Sequence, residues 1–349
     1  MAVARSSPPT NALPWRIVHA TLLVGYTVFV LGATIWASIT PDTTWWLALA
    51  SEFSFFVLAA SPIALALALV RPTPISIGLG TVPLVLFALI YGGRLVPHPP
   101  ASAGSDRREI TVYTQNIAGM YTLLEGLQSQ IERVQPDLLA MQEVPSHVDQ
   151  LHQAADPMLP YSVLEPRPNP SGIGTWSRLP ILDTQTLTLV PGGHLSQRTR
   201  IDMGGETLTL YSVHLNPPWP RGWHGTLTPF AFVNPVESSL RQAQVQALLQ
   251  DVRAQPGPVI VAGDFNMGER TWDYRQLSAV LTDAFASSGR GLGHTFPSRD
   301  EWWPFGLHLP PALRIDYVWL GPGLTAREVQ VADQMGSDHQ GLIARIAVD

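Results

Sequence analysis

The sequence predicts an α/β domain preceded by an all-α membrane region. Three observations carry that prediction. Three long apolar runs crowd the chain before residue 92, a Pro/Ala/Ser-rich stretch follows them, and beyond it short β-branched runs end in polar residues around an amphipathic helical segment.

The membrane region is read as residues 1–96. Ile17 to Ile39 carries no formal charge, Trp45 to Val70 carries only Glu52, and Pro74 to Tyr91 carries none. As helices, each is long enough to cross about 30 Å of hydrocarbon, so three transmembrane helices are expected at about 17–39, 45–70 and 74–91. A signal peptide is the competing reading, but its apolar core is about 7–15 residues and two further spans do not follow it. Arg5 and Arg16 precede the first run, Asp42 lies in the first loop and Arg71 in the second. The positive-inside bias therefore places the N-terminus in the cytoplasm, and three crossings leave everything after about Arg94 outside. Arg94 and the Arg107-Arg108 pair weigh against this orientation. Trp15, Trp45, Trp46 and Tyr91 suit span ends at the membrane interface.

Residues 97–106 read as a linker, and 107–349 as one domain. All but four of the 21 basic residues, and all but Asp42 and Glu52 of the 27 acidic ones, lie beyond residue 100, so this domain is acidic. The chain has no lysine and no basic run, which disfavours generic nucleic-acid binding, since Lys/Arg neutralisation of phosphates supplies most non-specific affinity. The absence of cysteine excludes disulfides and thiolate sites.

Along the domain, E-I-T-V-Y-T-Q-N-I (109–117) is an alternating strand ending at Asn116. Tyr121 to Val134 is an amphipathic helix stopped by Pro136, and D-L-L-A-M-Q-E-V (137–144) is an apolar strand closed by Glu143. A single carboxylate there is more simply a turn residue. S-G-I-G-T-W-S-R-L-P-I (171–181) reads as strand and turn, and T-L-T-L-Y-S-V-H-L (207–215) delivers His214. V-I-V-A-G-D-F-N (259–266) delivers Asp264 and Asn266. Strand alternation would put that pair on one side; an Asx turn closing the strand is the plainer reading. R-I-D-Y-V-W-L (314–320) delivers Asp316, and G-S-D-H (336–339) sets Asp338 and His339 ahead of a last strand, Leu342 to Val348.

Six polar strand ends are hard to explain as six separate turns. Carboxylate, amide and water oxygens suit a hard octahedral cation such as Mg²⁺, and two histidines can hold or move a proton near neutral pH. There is no Cys cluster or H-E-x-x-H helix for zinc and no G-x-S-x-G elbow for a serine hydrolase. Mg²⁺ with histidine points to attack of water on a phosphorus ester.

The ordered series Q-N-I, M-Q-E-V, S-R-L-P, S-V-H-L, G-D-F-N, R-I-D-Y-V and G-S-D-H resembles the endonuclease/exonuclease/phosphatase superfamily over roughly 107–349. The resemblance implies a DNase I-like layered sandwich of two mixed β-sheets flanked by helices, and a metal-dependent phosphoric ester hydrolase using Mg²⁺, with Mn²⁺ as a substitute. It implies Glu143 as principal metal ligand with Asn116 beside it, and Asp338 as a residue implicated in metal binding. Asp264 and Asn266 match the pair that positions water and the phosphoryl oxygens, and His214 matches the phosphate-contacting histidine. His339 matches the essential histidine, oriented by Asp316. Ala118 stands where some abasic-site enzymes carry an acid, which weakens a two-metal assignment.

In place of basic DNA-gripping insertions there are two Pro- and Trp-rich inserts, 216–230 and 294–311. They are read either as ordinary packed loops or as a pocket rim meeting the bilayer. Arg178, His294 and Arg314 are candidate phosphate or headgroup contacts. The three-span N-terminus on such a domain is similar to the architecture of VanJ-type bacterial membrane proteins, which implies an extracytoplasmic site facing lipid phosphates. The expected function is a multi-pass, membrane-anchored phosphoesterase acting on a lipid-linked or extracytoplasmic phosphate ester or diester. The alternative is an extracytoplasmic metal-dependent nuclease.

Overall fold

Ile110, Val112, Leu138 and Ala140 from one sheet meet Leu208, Leu210, Ile260, Ala262 and Val318 from a second in a single apolar layer. That layer is the centre of the sheet-bearing part of the chain. The computed structural model describes residues 12–42, 45–95, 108–118, 124–220, 236–298 and 310–348. The expected linker 97–106, the start of the helix expected from Tyr121, and most of both Trp-rich inserts lie outside the described residues.

The chain forms two compact units, Met1–Pro41 with Phe53–Gly93, and Asp42–Glu52 with Arg94–Asp349. The first is helical: α1 (Ala12–Ile39), α3 (Ser54–Ala59), α4 (Ser61–Val70) and α5 (Pro74–Leu95). Small residues let its helices approach. Ala64 and Ala68 pack with Leu23, and a Cβ on Gly80 would lie 2.8 Å from the Leu65 Cα. Polar groups find partners on other helices, with Tyr26 Oη donating to the Val57 carbonyl and Thr27 Oγ1 to the Leu79 carbonyl, both at 2.8 Å. Tyr91 is buried against Phe55 and Phe87, its hydroxyl 2.8 Å from Ser54 Oγ.

Two helices, Pro14–Ile39 and Pro74–Arg94, are long and apolar enough to cross a membrane. The expected middle span is not one continuous helix. It breaks at Phe53 into α2 (Trp45–Glu52) and α3–α4, and counts as a third crossing only if this bent pair is one span. α2 belongs to the second unit, where Glu52 has a charged partner.

In that unit one mixed sheet runs β13-β14-β1-β2-β4-β3 and the other β11-β12-β10-β7-β6-β5. The first comprises β1 (Arg108–Asn116), β2 (Leu138–Gln142), β3 (Tyr161–Glu165), β4 (Ile173–Ser177), β13 (Leu324–Val331) and β14 (Leu342–Val348). The second comprises β5 (Ile181–Leu187), β6 (Ser196–Asp202), β7 (Thr207–His214), β10 (Val259–Asp264), β11 (Thr282–Asp283) and β12 (Asp316–Leu320). A two-residue pair, β8 (Trp219–Pro220) with β9 (Val236–Glu237), stands apart. Each sheet has one parallel pair, β1 with β2 and β7 with β10.

The helices α6 (Leu124–Val134) and α7 (Asp149–Ala155) cover the first sheet, where Leu127, Ile131 and Leu151 pack on Tyr113, Leu139 and Met141. The helices α8 (Ser239–Arg253) and α9 (Trp272–Ser278) cover the second, where Val245, Leu248 and Leu277 pack on Tyr211, Val261 and Trp319. The short α10 (Ala284–Ser288) lies at the edge near β12 and β13. The result is a four-layer helix–sheet–sheet–helix sandwich.

Candidate active site

Strand registers gather the polar strand ends. Asp264, last in β10, pairs with His214, last in the parallel β7, and with Asp316, first in the antiparallel β12, so the three share one row across the sheet. Asp316 therefore reaches the site from the start of its strand. In the facing sheet Asn116 pairs with Gln142, and Glu143 follows immediately. His339 precedes β14, which runs antiparallel to β1. Its backbone N–H donates to Ser337 Oγ at 3.1 Å, Ser337 Oγ donates to the Asn116 carbonyl at 2.7 Å, and Gln115 Nε2 donates to the His339 carbonyl at 3.1 Å.

The side chains then meet. Asn116 Nδ2 donates to Glu143 Oε1 at 3.2 Å and, across the sandwich, to Asp264 Oδ2 at 3.0 Å, while its Oδ1 accepts from the Ala118 N–H at 2.9 Å. His339 Nδ1 lies 3.0 Å from Asp316 Oδ2, and its Nε2 lies 3.7 Å from Asp264 Oδ2. A carboxylate only accepts, so Nδ1 carries a proton and Nε2 faces the centre. His214 Nδ1 donates to the Pro170 carbonyl at 2.9 Å, which leaves its Nε2 towards Asp264 at 3.6 Å.

Three of these positions are held in unfavourable backbone. Ala118 (φ 49°), Glu143 (φ 59°) and Asn266 (φ 49°) have left-handed conformations that non-glycine residues rarely adopt. For Asn266 this changes the geometry expected from strand alternation. β10 stops at Asp264, and the left-handed turn brings the Asn266 N–H onto Asp264 Oδ1 at 2.9 Å and its Nδ2 onto the Leu215 carbonyl at 2.9 Å. The Asx turn is present, and it is the device that aims the pair. Gly263 lets β10 approach β7, since a Cβ there would lie 1.9 Å from the Val213 carbonyl oxygen.

Burial dominates the electrostatics. It raises the Glu143 carboxyl, as do the Asp338 and Asp316 charges, against a bond from Asn116 and the His339 charge. It raises Asp264 as well, against the His339 charge. Burial opposes charge on His339, but Asp316 and Asp264 outweigh it and hold the imidazole above its ordinary value. His214 is pushed well below its ordinary value by burial and by the neighbouring His194 and His339.

The donor set suits a hard cation. Asp264, Asp316 and His339 offer ligand atoms within 4.8 Å of one another. Asp316 Oδ1 is buried without a hydrogen-bond partner among the described residues, an orphaned acceptor of the kind a cation or water satisfies. Glu143 and Asp338 add carboxylates near His339, and the ligands are all oxygen or imidazole nitrogen.

The three candidate substrate contacts lie elsewhere or are engaged. Arg178 follows β4 at the end opposite Glu143 and bonds the Gln135 carbonyl at 2.9 Å and Asp137 at 3.4 Å. Arg314, offered as a phosphate contact, is buried and turned away: it pairs with Asp283 at 2.7 Å and with Glu269. His294 Nδ1 lies 3.2 Å from the Pro311 carbonyl. Two residues further on, the Phe296 ring packs on His339 at a centroid distance of 4.9 Å.

One neighbour escaped the sequence reading. His194, in the G-G-H-L turn before β6, sets Nδ1 3.3 Å from His214 Nε2. Because His214 already donates through Nδ1, neutral His214 accepts here and His194 donates. Nothing in the local sequence marks His194, which only the β6–β7 pairing brings to the site.

Residues 113–339 match the Endonuclease/Exonuclease/phosphatase family, and the chain belongs to it. Solved structures similar to it include an endonuclease/exonuclease/phosphatase from Bacteroides vulgatus, 17% identical, covering 70% of this chain and 100% of that one at a TM-score of 0.52. D. rerio TDP2 complexed with a single-strand DNA product is 16% identical, covering 68% and 98% at a TM-score of 0.53. A Bacteroides thetaiotaomicron family protein is 14% identical, covering 70% and 96% at a TM-score of 0.52. At these identities the likeness is one of fold. No curated protein matches the chain. The family is one of phosphoesterase hydrolases, typically dependent on a divalent metal.

Proposed function

We propose that this protein is a membrane-anchored, Mg²⁺-dependent phosphoesterase whose catalytic domain lies outside the cytoplasmic membrane and hydrolyses a lipid-linked or other extracytoplasmic phosphate ester. The observation that carries the reaction class is the bond from Asn116 to both Glu143 and Asp264, which joins the strand ends of two sheets beside the Asp316–His339 pair. Glu143, with Asp264, Asp316 and Asp338 around it, would hold the cation, and Asn116 would orient those carboxylates. A divalent ion there supplies charge that offsets the phosphoryl oxygens.

The protein's own groups supply the rest. Asp264 accepts from the attacking water, and Asn266 holds that carboxylate in place through its backbone N–H and its Nδ2. Asp316 fixes His339 through Nδ1, so Nε2 is the position at which a proton is held or passed during ester cleavage. His214, neutral and held through Nδ1 by Pro170, turns its Nε2 acceptor towards His194 and Asp264 beside the phosphate site. The apolar helices and the lack of any basic run favour a lipid-linked substrate over nucleic acid.

The test is purified full-length protein with Mg²⁺ or Mn²⁺, assayed on polyprenyl phosphates, phospholipids, sphingomyelin and plasmid DNA, with Asp264→Ala as control. Release of phosphate or headgroup by wild type alone is expected. Release from no lipid phosphate would refute the lipid reading. The alternative, an extracytoplasmic nuclease, predicts metal-dependent plasmid nicking that His339→Ala abolishes.

A further inference from the structure

We propose that Asp42 and Glu52 form a built-in clamp on the loop after β10, and that both, partly through Arg241, are positioning residues for Asn266. All the residues involved belong to the same compact unit. Glu52 Oε1 lies 2.7 Å from Arg241 Nη2, and Glu52 Oε2 accepts the Gly268 N–H at 2.5 Å. Asp42 Oδ2 accepts the Trp272 N–H at 2.6 Å, and the Asp42 carbonyl accepts from Ser238 Oγ at 3.3 Å. Arg241 is 1% exposed, pairs with Asp273 at 2.8 Å, and donates through Nη1 to the Asn266 carbonyl.

Full burial of Arg241 and the strained backbone of Asn266 make this a clamp rather than a chance contact. A guanidinium buried so fully must be paired, and Glu52 and Asp273 together fix its plane, which fixes the direction of the bond to Asn266. Asn266 has a left-handed backbone that persists only where its surroundings over-determine it. The clamp supplies that constraint from one side, and Asp264 and Leu215 supply it from the other. The approach is also close in backbone terms, since a Cβ on Gly268 would lie 2.8 Å from the Glu52 carbonyl oxygen. Glu52, the one charge in an apolar run, is thereby explained.

Any effect on rate rests on Asp264 and Asn266 being the water-aiming pair; the clamp itself does not. The test uses the full-length chain in detergent micelles, comparing wild type with Glu52→Ala, Glu52→Gln, Asp42→Ala and Gly268→Ala by amide hydrogen exchange and by turnover. Exchange across 266–274 is expected to accelerate on the order of 10-fold or more in the alanine variants, while β1, β2 and β14 stay protected. Glu52→Gln, which keeps an acceptor for Gly268, should recover part of that protection. Per folded molecule, kcat should fall on the order of 10-fold with KM within about twofold. Unchanged exchange at 266–274 overturns the clamp, as does acceleration spread evenly over the domain. Faster exchange with unchanged kcat overturns the positioning role. If wild type hydrolyses nothing, the phosphoesterase reading falls, and the exchange result alone still decides the clamp.

Discussion

Asp316 shows how single residues divide the work at this site. One carboxylate oxygen holds His339 Nδ1 at 3.0 Å, and the other is buried with no hydrogen-bond partner among the described residues. On the proposed mechanism, removing the ring removes the proton carrier, whereas Asp316→Asn keeps the shape and loses the charge that supports the imidazolium. His339→Ala should therefore lower kcat on the order of 10³-fold, and Asp316→Asn by about 10–100-fold, in steady-state assays on whichever substrate the wild type hydrolyses. His194 gives a pH prediction. Burial lowers its pKa from 6.5 to about 4. Below about pH 6.5 the unfolded chain takes up a proton that the folded chain refuses until about pH 4, so stability falls as pH drops through that window, by at most about 1.4 kcal/mol per pH unit. His194→Gln should lose less melting temperature between pH 7 and pH 5 than wild type does. An equal loss would show that His194 is not held neutral by the fold.

At the scale of elements, strands whose polar ends face one another were legible because a period of two and a polar terminus are local signals. Leu342–Val348 and Thr207–His214 lie where their patterns place them. What lay beyond reach was backbone that leaves the pattern. Asn266 comes to the Asp264 carboxylate by a left-handed turn, not by alternation, and Glu143 leaves β2 in the same conformation. Gly263 shows the cost of the close strand approach behind them. Gly263→Ala would drive a methyl into the Val213 carbonyl at a backbone φ of 150°, and should destabilise the domain by about 2–4 kcal/mol in denaturant unfolding of the full chain. A loss under about 0.5 kcal/mol would mean that β7 and β10 can separate there freely. The middle apolar run also departs from its pattern. Its length suggested one helix, yet it breaks beside Glu52, whose charge is paired with Arg241 in a distant part of the sequence.

For the whole molecule, the proposed orientation puts Thr40 and the catalytic domain on one side of the membrane and Arg71 on the other. The sequence has no cysteine, so each engineered thiol is unique. In intact cells a membrane-impermeant maleimide should label Thr40→Cys and Glu206→Cys, and should reach Arg71→Cys only after permeabilisation; the reverse pattern would overturn the orientation. On the proposed function, chelation should abolish turnover, and Mg²⁺ or Mn²⁺ should restore it, because Asp264, Asp316 and His339 offer ligand atoms within 4.8 Å of one another.

The sequence by itself determined the family, the residue types of the site and the apolar helices, because each is written in local pattern and in motif order. Only the tertiary structure decided which charged groups serve the site. Arg178 and Arg314 were plausible phosphate contacts by type, yet one lies at the far end of its sheet and the other is buried against Asp283. His194 and Arg241, unmarked in sequence, are placed beside His214 and Asn266 by strand register and helix packing. The physical reason is that a long charged side chain takes its role from whichever opposite charge the fold buries with it, and that partner is set by contacts between residues far apart in the chain.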